Sequence, residues 1–187
     1  MKVKRIKIMF RKLLAKYGSF HQRLQTRWRC LRLGIHYEKG LILGRHIRIA
    51  NKTQVVFGHN CRVADDVLLW GGGTIRIGSG TGIGRGANIF ASPEGGVDIG
   101  ENVLMAFRAY IMDSEHGTAP GQLIKEQPLR SKKIVIHDGV WLGYNVTILM
   151  GTEIGEGSVI GACSLVKGSV PSNVIYGGVP ARFLKNR

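Results

Sequence analysis

A six-residue repeat occupies the segment from Ile136 to Val166: Ile136-His-Asp-Gly-Val-Trp, Leu142-Gly-Tyr-Asn-Val-Thr, Ile148-Leu-Met-Gly-Thr-Glu, Ile154-Gly-Glu-Gly-Ser-Val, Ile160-Gly-Ala-Cys-Ser-Leu and Val166. Each hexad begins with an aliphatic residue, and its fifth position is small or β-branched. A period of six fits no helix, but it fits a short strand followed by a tight turn. One hexad cannot bury its own aliphatic residue, so the repeat predicts stacked coils.

The same period extends from this segment toward the N-terminus. Earlier apolar residues at this spacing are Leu43, Ile49; Phe57, Val63, Leu69; Ile77, Ile83, Ile89; and Ile99, Met105, Ile111. Three hexads make a triangular coil of about 18 residues, and neighbouring coils lie about 4.8 Å apart, the ordinary spacing of strands. About seventeen hexads would then form roughly five to six coils. We therefore expect a mainly β protein, with a parallel β-helix over residues 41–187.

Residues 1–40 differ from this body in both charge and period. They contain 12 Lys and Arg and one acidic residue, Glu38, whereas the remaining residues contain 15 Lys and Arg and 11 Asp and Glu. Their apolar residues recur every three or four positions, the helical period: Ile6, Met9, Phe10, Leu13, Tyr17, Phe20, Leu24, Trp28 and Leu31. Gly18 and Ser19 interrupt the pattern. We expect a basic N-terminal extension of two helices.

Three functions fit this extension. Its apolar stripe can pack on the body and leave the charges in solvent, or residues 1–32 can lie on anionic lipid at the inner leaflet of a membrane. It can also contact nucleic acid phosphates. Packing ranks first and lipid contact next, and the two are compatible. Nucleic acid ranks last because no nucleic-acid-binding motif follows, so no nucleic acid partner is expected.

Composition excludes several classes of protein. The 44% hydrophobic content suffices for a core, and 27 Gly with only 5 Pro and no Gly-X-Y period exclude collagen. No apolar run approaches the roughly 18 residues of a membrane-spanning helix, and no h-region of a secretory signal is present, so we expect a cytoplasmic protein. Cys30, Cys61 and Cys163 are far apart and predict neither a disulfide framework nor a zinc site.

The six-residue register is lost between about residues 113 and 133, in a segment that contains His116. Long loops in a compact repeat are usually functional. A histidine titrates near neutral pH and can accept the proton of an alcohol. Taken alone, a surface-loop histidine is the simpler interpretation of His116, but the repeat and the loop position together favour a general base. Asp113 or Glu115 could orient the ring or stabilise the imidazolium, and either could equally be solvated; we favour Asp113 because it lies closer to the preceding strand.

The hexads Ile154-Gly-Glu-Gly-Ser-Val and Ile160-Gly-Ala-Cys-Ser-Leu resemble those of the hexapeptide-repeat acyltransferases, which fold as left-handed parallel β-helices. The stretch Ile-Val-Ile-His-Asp-Gly-Val-Trp-Leu-Gly at 134–143 resembles the subgroup of maltose, galactoside and surface-polysaccharide O-acetyltransferases. So does the tail with Val170-Pro171, Asn173-Val174-Ile175 and Gly178-Val179-Pro180-Ala181-Arg182. The resemblance covers roughly residues 41–185. It implies a left-handed helix and a homotrimer that transfers acetyl from acetyl-CoA to a sugar or glycan hydroxyl, without a metal.

The resemblance also implies roles for individual residues. The family's catalytic histidine maps onto His116, and an aromatic residue that lines the acceptor or thioester region maps onto Trp141. Some polysaccharide members carry a second histidine where this chain has Ser114. Tyr144 and Asn145 replace small residues that are common in the family. The positions that map onto the CoA groove between the late coils of two subunits are Tyr144, Ala162, Lys167 and Gly168, with Arg182 near the adenine-phosphate end.

The expected function is therefore acetylation of a sugar hydroxyl in bacterial surface polysaccharide synthesis, such as that of O-antigen, capsule or exopolysaccharide. Two other enzymes on the same fold are alternatives: an antibiotic O-acetyltransferase and an amino-sugar N-acetyltransferase. The alternative that is not an enzyme is a β-helix scaffold whose basic extension binds membrane or nucleic acid. The loop that carries His116 argues against the scaffold.

Overall fold

The computed structural model describes residues 26–28, 30–33 and 35–187. The predicted basic helices between residues 1 and 25 therefore lie outside the described residues. Residues 26–28 and 30–33 are helical. In the part of the chain that the structure describes, no helix has the length and apolar character needed to span a membrane.

The rest of the described chain is built from short strands. In chain order they are β1 (His36–Tyr37), β2 (Ile42–Leu43), β3 (Arg48–Ile49), β4 (Gln54–Phe57), β5 (Arg62–Val63), β6 (Leu68–Trp70), β7 (Thr74–Ile77), β8 (Gly82–Ile83), β9 (Asn88–Phe90), β10 (Val97–Ile99), β11 (Leu104–Met105), β12 (Tyr110–Met112), β13 (Ser114–His116), β14 (Leu129–Ser131), β15 (Ile134–Ile136), β16 (Trp141–Leu142), β17 (Thr147–Ile148), β18 (Glu153–Ile154), β19 (Val159–Ile160), β20 (Leu165–Val166), β21 (Ser169–Val170), β22 (Val174–Gly178) and β23 (Ala181–Asn186). A 3₁₀ turn at Ile124–Glu126 lies between β13 and β14.

The strands stack into three sheets that form the sides of a prism. Sheet A has the order β1-β4-β7-β10-β15-β18-β21, sheet B the order β2-β5-β8-β11-β16-β19-β22-β23, and sheet C the order β3-β6-β9-β12-β17-β20. Each coil gives one strand to each sheet, so the 6 strands of sheet C mark six complete coils. Neighbouring strands are parallel except at the C-terminal end, where β22 and β23 pair antiparallel. The predicted parallel β-helix is confirmed, and its first strand begins at His36, before the predicted boundary at residue 41.

The interior of the prism consists of the residues that open each hexad. In sheet B the parallel register places Met105, Leu142 and Ile160 one above another, and all three are buried. Burying one such side chain contributes about 1.5–3 kcal/mol. Stacking therefore stabilises strands that are individually too short to be stable. The fifth positions are buried as well, and the hydroxyl groups of Thr152 and Ser164 donate to backbone carbonyls within their own coils.

The short helix before the first coil packs on it through an unexpected face. Thr26 and Cys30 are buried, and the Leu43 N–H donates to the Thr26 hydroxyl at 3.2 Å. Trp28 and Leu31, which belong to the predicted apolar stripe, are each 74% exposed. For these residues the prediction that the stripe packs on the body is wrong. Residues 26 and 30 lie on the opposite side of the helix from residues 28 and 31, and the smaller side chains fit against the coil.

The chain turns between sheets at three corners, of which two matter here. At the BC corner, between sheets B and C, the Asn145 N–H donates to the Phe107 carbonyl at 2.9 Å and the Cys163 N–H to the Tyr144 carbonyl at 2.8 Å. Asn145 and Cys163 have positive φ there, as does Arg108 of the preceding coil. Gly adopts positive φ without steric cost, and Asn adopts it more readily than most other residues. The hydrogen bond from the neighbouring coil stabilises the left-handed conformation in other residues too.

The predicted loop leaves the prism at the CA corner, between sheets C and A, and it contains a pair of strands that the sequence did not predict. Strands β13 and β14 pair antiparallel, with Glu115 opposite Arg130 and His116 opposite Leu129. We call residues 114–131 the ribbon. The six-residue period disappears here because the ribbon stands outside the stack, where no neighbouring coil requires an aliphatic residue at every sixth position.

Candidate active site

Asp113 fixes the base of the ribbon. Its side chain is fully buried, and its carboxylate accepts hydrogen bonds from the Ser92 N–H at 2.9 Å, the Ser92 hydroxyl at 3.0 Å and the Gly96 N–H. Its carbonyl accepts the Lys132 N–H at 2.9 Å, at the other end of the ribbon. A buried carboxylate needs several donors to offset its lost hydration. Asp113 therefore joins the two ends of the ribbon to the coil below.

A second polar anchor holds the far end of the ribbon. Gln127 is buried; its side-chain carbonyl accepts the Ala119 N–H at 2.8 Å, and its amide donates to the Ala119 carbonyl at 3.0 Å and the Gln122 carbonyl at 3.1 Å. The Gly117 N–H also donates to the Pro128 carbonyl. These bonds close the segment that follows His116 without an aliphatic core. No sequence pattern singled out Gln127, because a lone glutamine in a polar loop resembles any solvated residue.

His116 lies at the end of β13 with its side chain exposed. Three other histidines pair with carboxylates: His46 with Asp66 at 2.9 Å, His59 with Glu38 at 2.7 Å and His137 with Glu153 at 2.9 Å. Within the described residues, the His116 ring has neither a hydrogen bond nor an ion pair, and none joins it to Asp113. Its nitrogens are free to bind an external group.

Two residues predicted for the CoA groove lie near the ribbon. Lys167 and Gly168 occupy the CA corner two coils above Asp113, and the Lys167 ammonium lies 4.0 Å from the Glu115 carboxylate. Gly168 has a φ of +86°, and no heavy atom lies within 4 Å of the place where a Cβ would stand. The structure therefore brings His116, Lys167 and Gly168 to the same corner.

The other predicted residues lie elsewhere on the chain. Trp141 projects from sheet B and is 49% exposed, while Tyr144 and Ala162 are exposed at the BC corner. The strands of sheet C run between this corner and the CA corner, so within one chain these residues do not meet His116. Arg182 is exposed on β23, where its guanidinium donates to the Ala181 carbonyl at 3.0 Å.

Two exposed apolar residues beside Trp141 are not among the predicted site residues. Leu104 pairs with Trp141 in register, and Phe107 follows at the BC corner; each is 58% exposed. Together with Trp141 and Tyr144 they form an apolar strip along sheet B and its edge. The sequence could have indicated that Leu104 is exposed. It directly precedes the inward Met105, and neighbouring residues of a strand face opposite sides.

Two of the three cysteines, Cys30 and Cys61, are buried, and Cys163 is exposed. No group of three or more His, Cys, Asp or Glu side chains among the described residues could hold a metal ion. Burial raises the pKa of the Cys30 thiol to about 11, and burial also raises the pKa of Cys61. Both thiols are therefore protonated near neutral pH and are poor nucleophiles.

Several known proteins are similar to this chain in sequence. The family model described as "Bacterial transferase hexapeptide (six repeats)" matches residues 133–168. A protein of Escherichia coli named as a lipopolysaccharide biosynthesis O-acetyl transferase, WbbJ, is 37% identical over 160 residues, covering 70% of this chain and 81% of that protein. The galactoside O-acetyltransferase of Lactococcus lactis is 34% identical over 137 residues, covering 73% of this chain and 65% of that protein.

A solved structure shares the fold. A variant of AntD, an N-acyltransferase from Bacillus cereus, superposes with a TM-score of 0.76 and 24% identity, covering 86% of this chain and 88% of that one. Its crystals contain dTDP-4-amino-4,6-dideoxyglucose and coenzyme A. At this level of identity the likeness concerns the stacked coils.

Proposed function

The chain belongs to the bacterial hexapeptide-repeat transferase family, and from that membership we propose that it transfers acetyl from acetyl-CoA to a hydroxyl group of a sugar or glycan acceptor. The observation that carries the proposal is the ribbon, which holds an exposed and unpaired His116 outside an otherwise regular prism. Relatives named as lipopolysaccharide and galactoside O-acetyltransferases favour a sugar hydroxyl and a role in bacterial surface polysaccharide synthesis.

His116 acts as the general base. A ring nitrogen takes the proton of the acceptor hydroxyl while its oxygen attacks the thioester carbonyl carbon, and the carbon–sulfur bond breaks when the tetrahedral intermediate collapses. The CoA thiolate then takes the proton from His116, so no net proton is consumed. A base of this kind accelerates the reaction about 10²–10⁴-fold. Acetyl-CoA supplies the activated acetyl group as a co-substrate.

Asp113 is a positioning residue in this proposal. Its carboxylate is occupied by Ser92 and Gly96, so it acts on His116 through the backbone of the ribbon and not through its ring. The carboxylate of Glu115, next to His116 in the sequence, lies 4.0 Å from the Lys167 ammonium.

The corner residues suit a CoA molecule. Gly168 leaves open space for the approach of a pantetheine arm, and Lys167 offers a cation for phosphate. Tyr144 and Ala162 would line the arm from the other side and Arg182 its nucleotide end, with Trp141 beside the acceptor. No residue in this set calls for a metal.

A homotrimer would unite the two halves of this site. His116 and Lys167 lie at one corner and Trp141 and Tyr144 near the other, so a neighbouring subunit must supply one half. Sedimentation equilibrium should report about three times the 20.5 kDa of the chain. An active monomer would contradict the shared site.

We also propose a cytoplasmic enzyme that touches the inner leaflet through residues 1–32. The exposed Trp28 and Leu31 beside the exposed Arg27 and Arg32 support contact with a lipid surface. Each basic residue contributes about 1 kcal/mol at an anionic surface, and the contribution falls with salt. Co-sedimentation with anionic vesicles at low and high salt, with and without residues 1–20, tests this proposal; full-length protein that stays in the supernatant at low salt contradicts it.

Mass spectrometry tests the reaction itself. The protein is incubated with acetyl-CoA and a panel of glycans and nucleotide sugars, including amino sugars. The proposal expects an acetyl ester on a hydroxyl group. Acetylation confined to amino groups would favour the amino-sugar N-acetyltransferase instead.

A further inference from the structure

Sheet B carries a notch below the apolar strip. One outward-facing residue from each of five successive strands of sheet B forms a column, because these residues are paired in register. From the N-terminal end, the column contains Ile42, Arg62, Gly82, Leu104 and Trp141. Gly82 interrupts this column because it has no side chain, and no heavy atom lies within 4 Å of the place where its Cβ would stand. The resulting groove has a volume of about 550 Å³.

Among the described residues that line the groove, Arg62 is a cation without a carboxylate partner. Two of its charged residues are neutralised at the BC corner, since the Asp65 carboxylate accepts from the Arg45 guanidinium at 3.1 Å and the Arg85 guanidinium lies 2.9 Å from Asp66. The exposed Arg62 guanidinium, in contrast, has neither a hydrogen bond nor an ion pair with any described residue. A guanidinium group free to form two parallel hydrogen bonds suits a phosphate or carboxylate group.

The opposite wall of the groove is apolar. Leu104 and Phe107 line it, and Trp141 stands next in the column. Exposed aromatic rings suit the apolar face of a sugar ring. A ligand with only polar groups would not contact these apolar side chains favourably. Trp141, which suits a sugar, and Arg62, which suits an anion, are three strand spacings apart in this column, or about 14 Å.

We propose that this notch binds the anionic end of the sugar acceptor. The acceptor is then a sugar that carries a phosphate, diphosphate or carboxylate group, bound by Arg62 in the space above Gly82, while its reactive hydroxyl lies beside Trp141. This inference rests on the proposed function for the place of the hydroxyl, but the anion site itself depends only on Arg62 and Gly82.

Two variants test the notch. Arg62→Gln removes the cation, and Gly82→Val fills the space that the structure leaves open, with no strained backbone at that position. The control is Arg48→Gln, which changes an exposed arginine on sheet C. We expect Arg62→Gln to raise KM for an anionic acceptor about 10- to 100-fold, because it loses a hydrogen bond to a charged group. Gly82→Val should also raise this KM, because its side chain excludes the anion from the notch. Both variants should leave KM for acetyl-CoA unchanged. The control should behave like the wild type.

The acceptor panel distinguishes the sources of the negative charge. It contains a uridine diphosphate sugar, a polyprenyl diphosphate sugar, a uronic acid disaccharide and a neutral oligosaccharide. The proposal expects at least one anionic compound to be preferred over the neutral one, and the preference to vanish in Arg62→Gln. Equal KM values for charged and neutral acceptors, or an unchanged preference in both notch variants, would overturn it and leave the acetyl transfer intact.

A binding measurement separates the notch from the reaction. Isothermal titration calorimetry of the full chain with uridine diphosphate and with inorganic pyrophosphate, without acetyl-CoA, should give heat in the wild type and in Arg48→Gln, and little in Arg62→Gln. If such binding is found but no acceptor is acetylated, the notch stands and the proposed function fails. If neither ligand binds and no anionic acceptor is preferred, the notch proposal is wrong.

Discussion

The coils and the ribbon are stabilised by different kinds of interaction. In the coils, each aliphatic residue packs on the equivalent residue of the next coil, and most are fully buried. The ribbon is held by buried polar side chains, namely Asp113 just before its first residue and Gln127 near its tip, while Leu123, Ile124 and Leu129 of the ribbon are all more than half exposed. The repeat thus supplies stability, and the ribbon is free to present a reactive side chain.

The largest expected effect is on kcat, from a substitution of His116 in the ribbon. His116→Ala should lower kcat about 10²–10⁴-fold because a general base acts in the transition state, with acetyl-CoA KM nearly unchanged. Steady-state kinetics measures this. His137→Ala is the matched control, since His137 is exposed and paired with Glu153 on sheet A; its kcat should stay near the wild-type value. A folded His116→Ala variant with normal kcat would remove the ribbon from the mechanism.

The next largest expected effect is on the free energy of unfolding, from a substitution in the core of the coils. Ile148→Ala should lower the free energy of unfolding by about 2–5 kcal/mol, because a fully buried side chain leaves a cavity. Leu129→Ala, which truncates a 54% exposed residue of the ribbon, should change it by no more than about 0.5 kcal/mol. Urea denaturation at one fixed protein concentration measures both. Equal losses in the two variants would mean that the ribbon is packed as tightly as the coils.

A smaller effect tests the junction between the two regions. Asp113→Asn places amide hydrogens opposite the donors of Ser92 and Gly96, so it should cost about 1–3 kcal/mol of stability and also lower kcat. Hydrogen exchange should quicken at the Gly96 and Lys132 amides. Glu156→Gln, at an exposed carboxylate with no ion pair to a described residue, is the control and should change the free energy of unfolding little. A loss of kcat with unchanged stability and exchange would instead mean that Asp113 acts on the His116 ring.

The smallest effect concerns the charges at the edge of the early coils. Hydrogen bonds from Arg45 hold the pKa of Asp65 below its ordinary value of 3.8, and hydrogen bonds from His46 and Arg85 do the same for Asp66. A lowered pKa in the folded state contributes stability above the unfolded value, and this stability is lost as the pH falls through the folded value. Urea midpoints at about pH 6 and about pH 3 should therefore differ less in Asp66→Asn than in the wild type. An equal difference in Asp66→Asn and the wild type would contradict this prediction.

The repeat made the coils predictable in detail. Every first position from Ile136 to Val166 was expected to face inward, and each is buried. The reason is that each hexad has one inward position, and the residue there packs on the residue at the same position of the next coil. The prediction failed at the helix before the first coil, where Trp28 and Leu31 face solvent, because helical periodicity identifies an apolar face but not what covers it.

The site was predicted in part. The loss of the period located the ribbon and the exposed His116, but two antiparallel strands without a periodic signal were not foreseen. Leu104 was overlooked because its aliphatic side chain was not distinguished from the inward Met105 beside it. The roles of His116, Lys167, Gly168, Trp141, Tyr144, Ala162 and Arg182 remain predictions.

The sequence alone determined the stacked β-helix, the position of the excursion and the separation of a basic N-terminal segment from a nearly neutral body. These follow from local spacing, since period and charge are properties of the linear chain. Only the tertiary structure decided that the Asp113 carboxylate bonds to Ser92 and Gly96, that His116 and Lys167 share a corner, and that Gly82 opens a notch beside Arg62. Each of these relations joins residues from different coils, and the register between coils is set by packing and backbone hydrogen bonds that no single hexad contains.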